Sequence, residues 1–137
     1  MGQSGETYGD SRFDFYIEAG ERKIFIEVKG VTLEMDGVAL FPDAPTARGI
    51  KHLHGLARCT DDGYEAHVVF VVQMQNISHF APNNLTHAAF GKTLSDVVEL
   101  GVKAVAFDCL VTPDSLTINE AIPVKWKCCD YEKTLQM

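Results

Sequence analysis

The 137-residue sequence has no long apolar run, which limits where this protein can work. No stretch approaches the roughly 20 apolar residues of a membrane-spanning helix. The first residues lack the apolar segment of a secretory leader, and Glu6 stands where a myristoylation motif requires Ser or Thr. We therefore expect a cytoplasmic protein with no membrane partner.

Cysteine is also scarce, and the four cysteines do not form a C-x-x-C pair. Their spacing does not match a structural zinc site. Cys128 and Cys129 are neighbours that cannot easily bridge each other, and Cys109 lies in an apolar run that predicts a buried small hydrophobe. This pattern indicates a reduced protein, as in the cytoplasm.

Positive charge is in deficit, with 12 Lys and Arg against 19 Asp and Glu and a net charge of -7. Proteins that bind nucleic acid through their whole surface are usually basic, so any such contact here would require a local patch. Solubility alone also explains the acidity. No Ser/His/Asp hydrolase signature is present, and the glycines do not match a phosphate-binding loop.

Hydrophobic periodicity predicts five strands. Alternating residues predict a β-hairpin over residues 13–19 and 23–31. A continuous apolar run predicts a strand buried on both faces over residues 67–73, and a second run predicts another over residues 102–111. Residues 116–124 are interpreted as a last strand at the sheet edge.

Two helices are predicted between these strands. The first begins after Thr46, a good N-cap, and ends near Cys59. The second covers residues 87–100, with Gly101 as its C-terminal cap. The resulting order, β-β-α-β-α-β-β, predicts an α/β fold in which helices flank a mixed sheet.

The chain divides into one domain with two short flanks. Residues 1–11 are interpreted as a ragged N-terminal segment, and residues 32–45 as a loop within the domain. The domain itself spans residues 12–124. Residues 125–137 form a C-terminal tail to which we assign no role.

An unusual group of charges lies on the predicted hairpin. With the turn between Gly20 and Glu21, paired residue numbers sum to 41, which places Asp14 opposite Glu27 and Lys29 on the same side. Opposed like charges destabilise a sheet. A divalent cation would remove this repulsion; alternatively, the residues lie on a solvated face where Lys29 neutralises both acids.

The helix after residues 32–45 is locally basic. Arg48 and Lys51 are three residues apart and hence neighbours, and His52 lies one position further round. These three residues are candidates for phosphate contact, and a solvated helix face is the alternative. Asp43 would either cap the helix or reach a cation from the outer shell. Gln73, at the end of a strand, would either bind a water or phosphate or close a loop.

The hairpin pattern of Asp14 followed by Glu27-Val28-Lys29 resembles the PD-(D/E)XK nuclease superfamily. The surrounding residues are more specific and resemble the sugar fermentation stimulation protein family. Those residues are Ser11-Arg12-Phe13-Asp14-Phe15, Ile26-Glu27-Val28-Lys29-Gly30-Val31-Thr32-Leu33, Phe41-Pro42-Asp43-Ala44-Pro45-Thr46-Ala47-Arg48-Gly49, His52-Leu53 and Phe70-Val71-Val72-Gln73. The likeness runs from about residue 9 to residue 124.

The resemblance implies a restriction-endonuclease-like domain that follows an OB-like half, to which nothing in this sequence corresponds. It implies Asp14 and Glu27 as ligands of Mg²⁺ or Mn²⁺, the Val28 carbonyl as a further ligand, and Lys29 as the catalytic lysine. It also implies DNA binding and a link to the regulation of sugar metabolism, maltose in particular. Nuclease activity is implied by the fold alone.

Two functions follow as expectations. The first is a metal-dependent hydrolase of phosphodiesters that binds nucleic acid, with Asp14, Glu27 and Lys29 as catalytic residues. The second is a non-catalytic DNA-binding regulator that retains only the nuclease fold.

Overall fold

The computed structural model describes residues 2–8 and 11–126, and the side chains of residues 13–126. Within these ranges the chain forms two helices and two sheets. The helices are α1 (Ala47–Asp61) and α2 (Asn84–Glu99). The strands are β1 (Gly2–Tyr8), β2 (Ser11–Ala19), β3 (Arg22–Val31), β4 (Leu33–Met35), β5 (Val38–Phe41), β6 (Glu65–Val72), β7 (His79–Pro82), β8 (Lys103–Thr112) and β9 (Ser115–Ile122).

The larger sheet has six strands in the order β1-β2-β3-β6-β8-β9. Its centre is parallel, because β6 pairs with β3 on one side and β8 on the other. Its outer pairs, β1-β2, β2-β3 and β8-β9, are antiparallel. The mixed α/β class predicted from the sequence is therefore confirmed.

Four strands were not predicted. β1 lies in the segment interpreted as ragged and pairs with β2, so that interpretation was wrong for Gly2–Tyr8. β4 and β5 form a hairpin within the predicted loop over residues 32–45, and with β7 they make the smaller sheet, of order β4-β5-β7. β7 also lies in a segment interpreted as a loop, and strands of three or four residues, such as β4, β5 and β7, are too short to show a clear period.

The helices cover one face of the larger sheet. Thr46 caps α1 as predicted, since its hydroxyl accepts a hydrogen bond from the Gly49 amide at 2.9 Å. Gly49 also permits close packing of the two helices, because a Cβ there would lie 3.3 Å from the ring of Phe90 on α2. The largest fully buried side chains of the core are Phe13, Phe70, Phe80, Phe90, Leu53, Leu56 and Leu94.

The opposite face of the sheet is less covered. Alternate residues of β6 are buried, but His67, Val69 and Val71 between them are only half-buried. The prediction of a strand buried on both faces was therefore wrong for β6, and also for β8, where Leu110 and Val111 are exposed. The error arose because an unbroken apolar run does not reveal that helices lie on one face only.

The hairpin of β2 and β3 has the predicted register, with Phe15 opposite Ile26 and Glu18 opposite Lys23. Its buried face is nevertheless the one that carries the charges. Phe15 is 41% exposed, whereas Glu27 is only 4% exposed. The alternative of a solvated face for Glu27 was therefore wrong, since α1 covers this side.

The residues that follow β9 pair with β7. Val124 pairs with Phe80, and the Lys125 amide donates to the Phe80 carbonyl oxygen at 2.8 Å. Of the predicted tail, residues 127–137 lie outside the described residues, as do Cys128 and Cys129. Neither described helix is long and apolar enough to cross a membrane.

Candidate functional site

The site is centred on Glu27, a carboxylate buried between β3 and α1. Its Oε2 atom lies 2.8 Å from Lys29 Nζ and 2.8 Å from His52 Nδ1. Its Oε1 atom is buried and has no hydrogen-bond partner among the described residues. A buried charged oxygen without a partner is costly, so this atom is the one in the group best placed to accept a ligand.

His52 reaches Glu27 from α1 and completes a compact group of three side chains. Its Nδ1 atom lies 2.9 Å from Lys29 Nζ, and its ring lies edge-on to Phe13, with ring centroids 6.5 Å apart. Its residue is 8% exposed. The pKa of His52 is lowered, first by burial and then by Lys29, so the ring is neutral at pH 7.

Asp14 contacts β3 through its side chain. The ladder between β2 and β3 runs from Ala19–Arg22 to Phe15–Ile26 and stops before Asp14. The Val28 amide instead donates to Asp14 Oδ2 at 2.8 Å. The predicted direct opposition of Asp14 and Glu27 is thus replaced by a contact between the Asp14 carboxylate and the backbone.

These residues partly fit a divalent cation. In the described ranges, no three His, Cys, Asp or Glu side chains are grouped so as to hold a metal ion. The free Oε1 of Glu27 and the Asp14 carboxylate on the adjoining strand do offer the oxygen ligands that Mg²⁺ and Mn²⁺ prefer. When no cation is bound, the ammonium group of Lys29 balances the negative charge of the Glu27 carboxylate.

The basic residues of α1 divide into an outer and an inner set. Arg48 and Lys51 are exposed, as a phosphate contact requires. His52 is buried against Glu27, so it joins the inner group and not the exposed face; its contact with nucleic acid stays a prediction. The structure does not use Asp43 as a helix cap, because Thr46 has that role, and Asp43 is exposed.

Gln73 follows β6 at the same edge of the sheet. The backbone amide of Gln73 donates to the Val31 carbonyl oxygen at 2.9 Å. Its side chain lies against Gly30, where a Cβ would come within 2.8 Å of Gln73 Nε2. Gly30 therefore leaves room for the Gln73 side chain, and the role of Gln73 as an accessory residue stays a prediction.

Sequence reasoning missed the contact between His52 and Glu27. The signal was present in the helical period, because buried residues of α1 recur at Gly49, His52, Leu53 and Leu56. His52 lies on this buried stripe, whereas Arg48 and Lys51 do not. A histidine on the apolar face of this helix was the available clue.

Comparison with known proteins gives the family. Residues 3–115 match the sugar fermentation stimulation protein RE domain. The sugar fermentation stimulation protein homolog of Desulfitobacterium hafniense (strain DSM 10664 / DCB-2) is 58% identical over 120 residues, which are 88% of this chain and 53% of that protein. The homolog of Clostridium beijerinckii is 56% identical over 117 residues, which are 85% of this chain and 52% of that protein.

A solved structure agrees with this assignment. The structure of Pyrococcus furiosus SfsA in complex with Ca²⁺ aligns with a TM-score of 0.84 and 27% identity, over 90% of this chain and 54% of that chain. The chain spans about half the length of the curated relatives it matches. From the matched domain, the relatives and the shared fold, it follows that this chain belongs to the sugar fermentation stimulation protein family.

Proposed function

We propose that this chain binds nucleic acid, with DNA as the first candidate, and holds a divalent cation at Glu27 for the hydrolysis of phosphodiesters. One observation carries the proposal. A buried carboxylate, adjacent to a lysine, keeps one oxygen free of any described hydrogen-bond partner. Structural ion pairs usually satisfy both oxygens, whereas a carboxylate that holds a cation needs one available.

The cation would be Mg²⁺ or Mn²⁺. The related Pyrococcus furiosus protein was solved in complex with Ca²⁺, another cation that prefers oxygen ligands. Asp14, Glu27 and the Val28 carbonyl are the residues of this chain that would hold it. When bound, such a cation polarises a phosphate and lowers the pKa of its water.

The remaining side chains have separate roles. Lys29 would place its ammonium group beside the phosphate and stabilise the negative charge that develops there. Gln73 would orient a water or a phosphate oxygen from the edge of the sheet. Asp43 is exposed in the loop before α1 and would act on the cation from the outer shell.

Nucleic acid would approach along α1. Its first turn has no acidic residue, and Arg48 and Lys51 are both exposed there, in a protein of net charge -7. Because phosphate contacts release counterions, binding through this local patch should weaken steeply as salt rises. We expect the loss of both side chains to reduce the slope of log affinity against log salt by about 2.

A second candidate function is a non-catalytic DNA-binding regulator of sugar metabolism, for which maltose is the first case to examine. It is favoured by the contact of Lys29 with Glu27 at 2.8 Å, since this pair is already neutral overall. In this case the fold is retained and the acids have a structural role. Cleavage separates the two candidates, because binding alone is expected of both.

The test uses a short labelled DNA duplex and its single strand, with and without Mn²⁺. Wild type is compared with Asp14→Asn and with the double variant Arg48→Gln/Lys51→Gln, and Lys92→Gln, at an exposed residue of α2, serves as the control. Cleavage that Asp14→Asn abolishes supports the enzyme. Binding without cleavage supports the regulator, and binding that the double variant leaves intact contradicts the proposed surface.

A further inference from the structure

The exposed face of α1 carries a row of basic side chains that continues beyond Arg48 and Lys51. Up to residue 60, the exposed residues of the helix are Ala47, Arg48, Lys51, His54 and Arg58. None of them is acidic, although the protein has a net charge of -7. Such an uneven distribution concentrates positive potential on one face of one helix. We call Arg48, Lys51, His54 and Arg58 the basic ridge.

Helical geometry aligns the side chains of the basic ridge. Lys51 and Arg58 are seven residues apart in the sequence. This spacing places them on nearly the same line along the helix, about 10 Å from each other. His54 lies between them, and Arg48 lies nearer the start of the helix. The ridge is therefore about 15 Å long, which corresponds to about four base pairs along the axis of a duplex.

The basic ridge begins beside the carboxylate site and leads away from it. Lys51 precedes His52, whose Nδ1 atom lies 2.8 Å from Glu27 Oε2. Arg58 lies about two helical turns further along α1. A nucleic acid bound along the ridge would therefore pass the site near one end of the ridge and continue towards Arg58.

The side chains of the ridge suit the backbone of a nucleic acid better than its bases. Arginine and lysine pair with phosphate oxygens, and a histidine N–H donates to them. The exposed residues of α1 listed above include no Asn, Gln or aromatic side chain, the types that read adenine or stack on bases. Arginine also contacts guanine, so a duplex without guanine is the decisive probe.

We propose that the basic ridge binds the phosphodiester backbone of a nucleic acid without regard to base sequence, with His54 and Arg58 as binding residues in addition to Arg48 and Lys51. The inference rests on the proposed function, because it states how the same helix engages the polymer. It involves neither Asp14 nor Glu27, so it requires no bound cation.

The test is fluorescence anisotropy of a short labelled DNA duplex, titrated with the chain in EDTA at a series of salt concentrations. One duplex contains A·T pairs only and a second has a mixed sequence, and wild type should bind both equally. Arg58→Gln should reduce the slope of log affinity against log salt by about 1 on both duplexes. Lys92→Gln removes one positive charge from an exposed residue of α2 and should leave the slope unchanged.

Further variants separate the charge of the ridge from the stability of the helix. Arg58 lies in the last turn of α1, where a positive charge also stabilises the helix end. Arg58→Lys keeps the charge and should retain the slope. His54→Glu places an acid on the ridge and should weaken binding more than Ala88→Glu, the matched change at an exposed residue of α2. A thermal unfolding curve of each variant shows whether it is folded.

Three results would overturn the inference. They are an unchanged slope in Arg58→Gln, equal effects of His54→Glu and Ala88→Glu, and a slope that falls on the mixed duplex but not on the A·T duplex. If Arg58→Gln does not fold, the comparison of His54→Glu with Ala88→Glu decides. An RNA duplex and a single strand, measured in the same way, show which polymer supplies the backbone.

Failure of the inference can be told from failure of the proposed function. If wild type binds nucleic acid and only Arg48→Gln/Lys51→Gln weakens this binding, the proposed function stands and the longer ridge is removed. If wild type binds neither DNA nor RNA in duplex or single-stranded form, both are removed.

Discussion

Two groups centred on neighbouring strands each contain a glutamate, a basic residue and a histidine, yet they differ in burial and in the partners of the glutamate. Glu65 on β6 contacts Arg22 through both oxygens, with Arg22 Nε 2.7 Å from Oε2 and Nη2 2.9 Å from Oε1. His67 Nε2 lies 3.8 Å from Glu65. The Arg22 side chain is 61% exposed, so water reaches this group.

The Glu27 group differs from the Glu65 group in both its burial and its partners. It is buried under α1, and one of its oxygens has no partner among the described residues, whereas both oxygens of Glu65 are satisfied. The unsatisfied atom near Glu65 is His67 Nε2, a nitrogen of a neutral ring, which costs less to bury than a charged oxygen. The comparison teaches that burial and partner count, and not residue type, distinguish a candidate site from a surface ion pair.

The largest effect is expected from the scaffold of the buried group. Phe13 is fully buried and packs against Phe25 and His52, whereas Phe15 is 41% exposed. Phe13→Ala should lower the free energy of unfolding by about 3 to 5 kcal/mol, and Phe15→Ala by much less. Urea unfolding followed by circular dichroism measures both, and equal losses would refute the assigned burial.

Removal of the Glu27 carboxylate should come next. Glu27→Ala leaves the Lys29 ammonium, on a side chain only 13% exposed, with His52 as its remaining partner, and we expect a loss of about 3 kcal/mol. The double variant Glu27→Leu/Lys29→Met should recover most of this loss, because no unpaired charge remains. Glu65→Ala is the matched control on the exposed group and should cost less. A double variant as unstable as Glu27→Ala would argue against a buried ion pair.

The histidines of both groups should make the fold sensitive to mild acid. Burial is the main cause that lowers the pKa of His52 and of His67 below the usual 6.5. The unfolded chain therefore binds these protons at a higher pH than the folded chain does. The free energy of unfolding should fall as the pH drops below about 6.5. His67→Asn should reduce this loss, as measured by urea unfolding at pH values on either side. If the stability of His67→Asn depends on pH as strongly as that of wild type, the lowered pKa of His67 is contradicted.

The smallest effect is expected for the exposed pair. Arg22 lowers the pKa of Glu65 from 4.5 to about 2, so the pair stabilises the fold above pH 4.5 and loses this contribution as the pH falls towards 2. The stability difference between wild type and Arg22→Met should shrink over the same interval. A carboxyl titration by nuclear magnetic resonance checks the pKa of Glu65 directly, and an ordinary value in wild type would exclude the pairing.

Much of the fold was predictable because its main elements have clear periods. The hairpin register followed from residue spacing, and Thr46 was a recognisable N-cap. The burial of the face that carries Glu27 could not be predicted. The apolar residues of β3 alternate with Glu27 and Lys29, and only the tertiary packing of α1 decides which of the two faces is covered. The buried contact of His52 depends on the same packing, which is why sequence spacing alone placed it among exposed bases.

The central claim is that the buried Glu27 carboxylate holds a cation. It is tested most directly by Mn²⁺ calorimetry on wild type, Glu27→Gln and Glu65→Gln, since both variants remove one negative charge from a glutamate that pairs with a base. We predict that Glu27→Gln abolishes binding and that Glu65→Gln leaves it unchanged. Binding that survives in Glu27→Gln, or that both variants weaken equally, would contradict the account.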